Sequence, residues 1–205
     1  MACLRELVTD RRLLLGYVLA HLFIFFTFEQ EKVFWYIFTA SMLVLISYSI
    51  LDESGKQASK KYHLLIGVVS GIIIYGIFWL GNTLINLLHL PLSEQITKLY
   101  KIFSPEFTWH YLVLFLIIGP GEEIFWRGFI QKRLSTYTNT WTSIILSTLL
   151  YTSVQIHSGE WVLLLAALTG GFVWSALYAW KKSLRLVIIS HLVFDFLLFG
   201  ILPLR

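Results

Sequence analysis

The sequence predicts an all-α polytopic bundle that crosses a membrane about seven times, with room for an eighth span. Three observations predict it. Of the 205 residues, 57% are hydrophobic and 14% charged, whereas soluble domains carry about 25% charged residues. Mean hydropathy is +0.73. The apolar residues also gather into runs near the length, roughly 20 residues, that a bilayer core requires of a helix. No Pro-, Gly- or Ser-rich linker divides the chain and no internal repeat is evident, so residues 1–205 read as one integral membrane domain. The single cysteine, Cys3, excludes an internal disulfide, and no Cys/His spacing suggests a structural zinc site.

Taken in order, the first apolar run is Leu13–Phe28. It has the look of a signal sequence, but no small-residue cleavage site follows, so it is expected to be retained. Val33–Leu51 and Leu64–Leu90 come next, the latter long enough to tilt or to continue along the surface. Pro91–Phe107 mixes Lys98 and Lys101 with Leu99, Tyr100, Ile102 and Phe103, as a helix lying in the interface would. The remaining spans are Trp109–Phe129, Trp141–Ile156, Trp161–Trp180 and Leu186–Leu202. Gly119-Pro120-Gly121 is expected to kink the fourth span and free backbone groups there. Gly170-Gly171 reads as a point of close helix packing. Trp35, Trp109, Trp141, Trp161 and Trp180 fall at span ends and read as interfacial belts.

Basic residues orient the bundle. With the N-terminus in the cytoplasm, Arg5, Arg11, Arg12, Lys56, Lys60, Lys61, Arg127, Lys132, Arg133, Lys181, Lys182 and Arg185 fall inside, and Lys32, Lys98, Lys101 and Arg205 outside. Twelve against four satisfies the positive-inside rule. The same bias accounts for the net charge of +4, so no nucleic-acid partner is implied. The expected location is a multi-pass integral membrane position, in the plasma membrane if the source is bacterial.

Of the twelve acidic residues, only Glu122, Glu123 and Asp195 lie within apolar runs. A charge at membrane depth costs at least about 2.5–3.5 kcal/mol and marks a paired or functional residue. Two readings are open: an ion-pair staple between helices, or a reactive site. Spacing favours the second. Glu123 and Arg127 are four apart on one helical face and able to pair, while Glu122 points about 100° away. His191 and Asp195, in "SHLVFDF", also share a face. His157 ends the fifth run just before Ser158-Gly159. His21, in the first run with no acidic neighbour, reads as a helix-packing hydrogen bond.

Glu122-Glu123-x-x-x-Arg127, then His157, then His191-x-x-x-Asp195, resembles the motif series of the CAAX-protease and bacteriocin-processing family, which includes the eukaryotic prenyl-protein CAAX endopeptidase. The motif-bearing core spans about residues 108–203. The family commonly has Phe four residues before the middle histidine, where this chain has Ser153, and the prenyl-protein enzymes have Asn where it has Asp195. The resemblance implies an intramembrane endopeptidase acting on a membrane-associated peptide or protein. It also implies roles: Glu122 and His157 hold and deprotonate a water, His191 and Asp195 bind the oxygen of the scissile carbonyl, and Glu123 and Arg127 support the site. An ionised aspartate is a poor oxyanion ligand, so Asp195 would be protonated or would orient His191 instead.

Three alternatives stand beside this reading. A zinc enzyme would use Glu122, His157 and His191 as ligands, although His-Glu-x-x-His is absent; the glutamate-activated water, with no cofactor, is favoured. A non-enzymatic membrane immunity or scaffold protein would keep the polar set as a structural network. A transporter would show repeated halves and paired broken helices, which are not visible. One tension accompanies the site. Counted from Arg133 and Lys182 at 1.5 Å per residue, Glu122 and His191 lie about 13–17 Å deep. A fifth span that starts at Trp141 puts His157 about 24 Å deep. Convergence then requires that helix to tilt or to start below the surface.

Overall fold

Apolar runs with no water to satisfy their backbone must bond internally, and the chain does so as helix throughout. The computed structural model describes residues 7–50 and 62–204, with no strand among them. Cys3, Arg5, Lys56, Lys60, Lys61 and Arg205, and Leu51 at the end of the second expected span, lie outside the described residues.

Helix α1 is Arg11–Glu29, begun by the Asp10 side chain, which accepts from the Leu13 N–H at 3.1 Å. A 3-10 turn, Glu31–Val33, leads into α2, Phe34–Ile50. Helix α3 is Tyr62–Leu87. Helix α4, Leu92–Phe103, buries none of its residues fully and turns 103° from the helix that follows, α5, Thr108–Tyr137. Helix α6 is Thr140–Val154, with the Asn139 side chain as its N-cap, and ends in a 3-10 turn, Gln155–Ser158. Helix α7 is Trp161–Lys181 and α8 is Leu184–Ile201, the last six residues of α8 being π-helical.

Helices α1, α3, α7 and α8, and α2 taken with the turn before it as Glu31–Ile50, are each long and apolar enough to cross a membrane, and the bent pair α4–α5 raises the number to six. The expected fifth span is α6, whose 15 residues fall short of a bilayer core. Leu14, Leu15 and Val18 on α1, and Leu64, Leu65 and Ile73 on α3, are exposed. Such apolar rows suit lipid, where helices associate by close packing and not by hiding apolar surface from water.

Two apolar clusters hold the bundle. Leu45, Ile118, Phe125 and Ile130 centre one, which joins α1, α2 and α5; Ile74, Leu186 and Val187 centre the other, which joins α3, α7 and α8. Along the seam between them α5 meets α8. Helices α3 and α8 pack most closely: a Cβ at Gly71 would lie 2.6 Å from the Ser190 carbonyl oxygen.

Pro120 does not break α5. Instead the helix widens to π geometry at Leu114–Ile118 and again at Ile124–Gln131. The wider turn before the proline separates its ring from the carbonyls behind it, which an α-turn would press against it. The glycines flanking it admit neighbours. A Cβ at Gly119 would meet Leu192 of α8 at 3.0 Å, and one at Gly121 would meet Ile46 of α2 at 2.9 Å. The expected kink is thus a change of helical pitch.

Two further expectations change. Trp35 is buried and stacks on His110 with ring centroids 4.7 Å apart, whereas Trp141, Trp161 and Trp180 are exposed as belt residues are. Arg127, tallied with the inner-surface charges, is 1% exposed. The other described basic residues sort by end. Asp10 accepts from Arg133 and from the Tyr137 hydroxyl, and Lys181 lies over the Tyr62 ring, so the starts of α1 and α3 meet the ends of α5 and α7. At the opposite end Lys98 pairs with Glu160.

Candidate active site

Arg127 and Glu123 meet across one helical turn: Arg127 Nη1 donates to Glu123 Oε1 at 3.1 Å, and both side chains are buried. The guanidinium is occupied further. Nη2 donates to the Gly171 carbonyl at 3.0 Å, and the group lies 4.9 Å from the Tyr151 ring and 5.6 Å from the Trp174 ring. One turn on, Gln131 Nε2 donates to the Ser175 carbonyl at 2.8 Å. These two rungs, four residues apart on both helices, lock α5 to α7.

Glu123 also reaches across the chain. Its Oε1 lies 2.7 Å from His191 Nδ1. A carboxylate already paired with a guanidinium accepts, so the imidazole proton on this side sits on Nδ1. Trp174 stacks on the other side of the ring, with centroids 3.9 Å apart and planes at 21°. His191 is therefore held by a carboxylate and an indole, and its Nε2 points elsewhere. Glu122 Oε2 and Asp195 Oδ1 each lie 3.7 Å from that nitrogen, an ion-pair distance and too long for a hydrogen bond.

The adjacent glutamates are thus unlike. Glu123 is fully enclosed and committed to two cationic or proton-bearing partners, whereas the Glu122 side chain is 10% exposed and makes no hydrogen bond among the described residues. Glu122, the His191 Nε2 and Asp195 come together where α5 meets α8.

His157 is placed elsewhere. Its Nε2 lies 3.0 Å from His21 Nδ1, its ring edges Phe25, and His21 Nε2 lies 3.3 Å from the Ser153 Oγ. Ser153 also bonds Tyr17 at 2.8 Å. The physical reason is the depth mismatch. Helix α6 runs on to Val154, and His157 lies beyond it in the turn that Gly159 ends with a φ of +71°.

Residues 104–197 match the family model described as type II CAAX prenyl endopeptidase Rce1-like. The matched segment, 94 of the 205 residues, is similar to that family. No curated protein and no solved structure matches it. The Rce1-like segment contains Glu122, Glu123, Arg127, His157, His191 and Asp195, and runs from just before α5 to the π-helical end of α8. The match and the five or six candidate spans together support a multi-pass membrane protein with a membrane-protease role.

The residues of the zinc alternative are placed as follows. Glu122 and His191 are neighbours but His157 is held at His21, and among the described residues no group of three or more His, Cys, Asp or Glu side chains is placed to hold an ion. The three residues of the zinc alternative do not gather. Sequence reasoning missed Trp174, the platform under His191, and Tyr151, against which Arg127 lies. Only the Gly170-Gly171 pair hinted at them: a Cβ at Gly171 would meet the Tyr151 ring at 2.8 Å, and one at Gly170 would meet Trp174 at 2.8 Å.

Proposed function

We propose that this protein is an intramembrane endopeptidase that hydrolyses a peptide bond of a membrane-associated peptide or protein. The water is activated by Glu122 with no metal ion and no covalent intermediate. The observation that carries the reading is the division of labour between the two glutamates: Glu123 is spent on Arg127 and His191, and Glu122 is left without a hydrogen bond, 3.7 Å from the His191 Nε2.

The chemistry then follows. Glu122 removes a proton from water as its oxygen attacks the scissile carbonyl carbon. The carbonyl oxygen becomes an oxyanion, and His191 donates to it through Nε2 when the ring carries both protons. Asp195, 3.7 Å from the same nitrogen, orients that ring at Nε2 while Glu123 fixes it at Nδ1. When the carbon–nitrogen bond breaks, Glu122 returns its proton to the leaving amine. Arg127 takes no part in the reaction; it holds Glu123, and so the ring.

Glu122→Gln tests this. Peptides released in membranes of cells carrying the wild-type chain should be missing with the variant, while both accumulate equally in the membrane. The purified wild type should keep its activity after dialysis against a strong chelator. Unchanged peptides with Glu122→Gln would favour the non-enzymatic scaffold reading, and activity lost to chelation and restored by zinc would overturn the metal-free mechanism.

A further inference from the structure

Roughly three helical turns along α5 from Glu122, at the end of the bundle where Lys98 pairs with Glu160, a second group of polar side chains takes no part in the proposed reaction. The turn between α1 and α2 and the bend between α4 and α5 enclose a cavity of about 200 Å³ there, lined by Glu31, Lys32, Ser104, Glu106 and His110. His110 is 6% exposed and its ring is fixed: Trp35 stacks on it with centroids 4.7 Å apart, and Trp109 meets it edge to face at 4.2 Å. Its Nδ1 accepts from the backbone N–H of Glu106 at 3.0 Å and of Phe107 at 3.4 Å. A nitrogen that accepts carries no proton, so the proton of the neutral ring is on Nε2. That N–H makes no hydrogen bond among the described residues and is not one of the enclosed polar atoms, so it opens on the cavity that its ring lines. Ser104 Oγ is enclosed and also has no partner among the described residues. The carboxylates of Glu31 and Glu106 and the Lys32 ammonium make no hydrogen bond or ion pair among them either.

Uncommitted donors and uncommitted carboxylates around one small cavity suit a ligand that carries charge of both signs. Pockets for drug-sized molecules measure about 300–1,000 Å³, so this one admits a headgroup and not a folded length of peptide. We propose that the cavity binds the headgroup of a zwitterionic phospholipid, its ammonium against Glu31 and Glu106 and its phosphate accepting from the His110 Nε2–H and from Lys32. The indole of Trp109, which also lines the cavity, adds an aromatic wall of the kind that attracts a cation. Tyr36 and Phe107 beside it are exposed and offer apolar surface to the acyl chains. The site is independent of the endopeptidase reading, because none of its residues belongs to the set around Glu122.

The test uses the full-length chain purified in detergent and phospholipids with identical acyl chains. Retained lipid is counted by native mass spectrometry, and melting temperature is measured with and without added lipid. Phosphatidylethanolamine should be retained and should raise the melting temperature, because a ligand that binds only the folded chain stabilises it. Phosphatidylglycerol, which lacks the ammonium, should bind about five-fold more weakly, the scale of two exposed ion pairs. The double variant Glu31→Gln with Glu106→Gln should lose affinity for phosphatidylethanolamine by about the same five-fold. Without lipid it should melt as wild type does, because neither carboxylate has a partner to lose. Glu29→Gln removes a neighbouring charge that does not line the cavity, and should stay within about two-fold of wild type. Equal retention of the two lipids, or equal losses in the double variant and in Glu29→Gln, would overturn the proposal. So would a melting shift with free phosphoethanolamine as large as the shift with the lipid, since that would make this a site for a soluble ligand.

Discussion

At Glu123, a single oxygen atom accepts from a guanidinium on its own helix and from an imidazole 68 residues away. This makes Glu123 the residue on which site geometry depends, and the next residue back, Glu122, the one free for chemistry. Removing one partner of a buried ion pair strands the other charge, at about 3–5 kcal/mol. Glu123→Ala and Arg127→Ala should each lower the melting temperature in detergent, and the double variant should cost less than the sum of the two, since no lone charge remains. Glu122→Gln should melt at or above wild type. Additive costs, or Glu122→Gln as the least stable of the four, would show that both glutamates do one structural job. Arg127→Lys is also expected to fail as a replacement. An ammonium cannot bond Glu123 and the Gly171 carbonyl in a plane between two aromatic rings, which the guanidinium does.

Among elements, the contact between α3 and α8 decides whether the second apolar cluster forms. Gly71 approaches backbone, the Ser190 carbonyl, and not the tip of a flexible side chain. Gly71→Leu should therefore force the helices apart and cost at least the roughly 1–3 kcal/mol typical of overpacking. On the same helix nothing lies within 4 Å of a Cβ at Gly76 or Gly81, so Gly76→Ala should leave the melting temperature unchanged or higher. Equal effects at the two positions would mean that helix propensity, and not contact with α8, is being read. This level also shows what could be read in the sequence. Glu123–Arg127 and His191–Asp195 were legible because a helix fixes residues four apart. Buried charge in apolar runs was legible because it is rare. The Glu123–His191 contact, the burial of Trp35 against His110 and the turning of His157 toward His21 were not, because each depends on how two helices rotate about their own axes. No spacing within one helix carries that information. The depth count for His157 came nearest, since it used the length of α6 and not its pattern.

For the molecule as a whole, the tie between its first helix and its longest one is the Asp10 cluster. Burial works against the Asp10 charge, but Arg133, the Leu13 N–H and the Tyr137 hydroxyl outweigh it, and the carboxyl is held below its ordinary value. A depressed folded value means that the contribution is present above the unfolded value, about 4, and is lost as pH falls through the folded one. Asp10→Asn should accordingly melt below wild type at neutral pH, by about 1–3 kcal/mol in stability, and the two curves should converge as pH drops below about 4. A gap that persists in acid would show that the ionised carboxylate is not the source of the effect. The widened turns of α5 bear on the molecule in another way. A turn closed at five residues holds one more than an α-turn, which is how a chain absorbs an insertion without leaving the helix. One residue turns a helix by about 100°. Deleting a single residue from Leu114–Ile118 would leave the chain as apolar as before and keep every site side chain, yet swing Glu122 and Glu123 off the face that meets α8. The phase of the site is set by chain length as well as by residue type, and a substitution at Glu122 or Glu123 cannot restore a phase lost upstream.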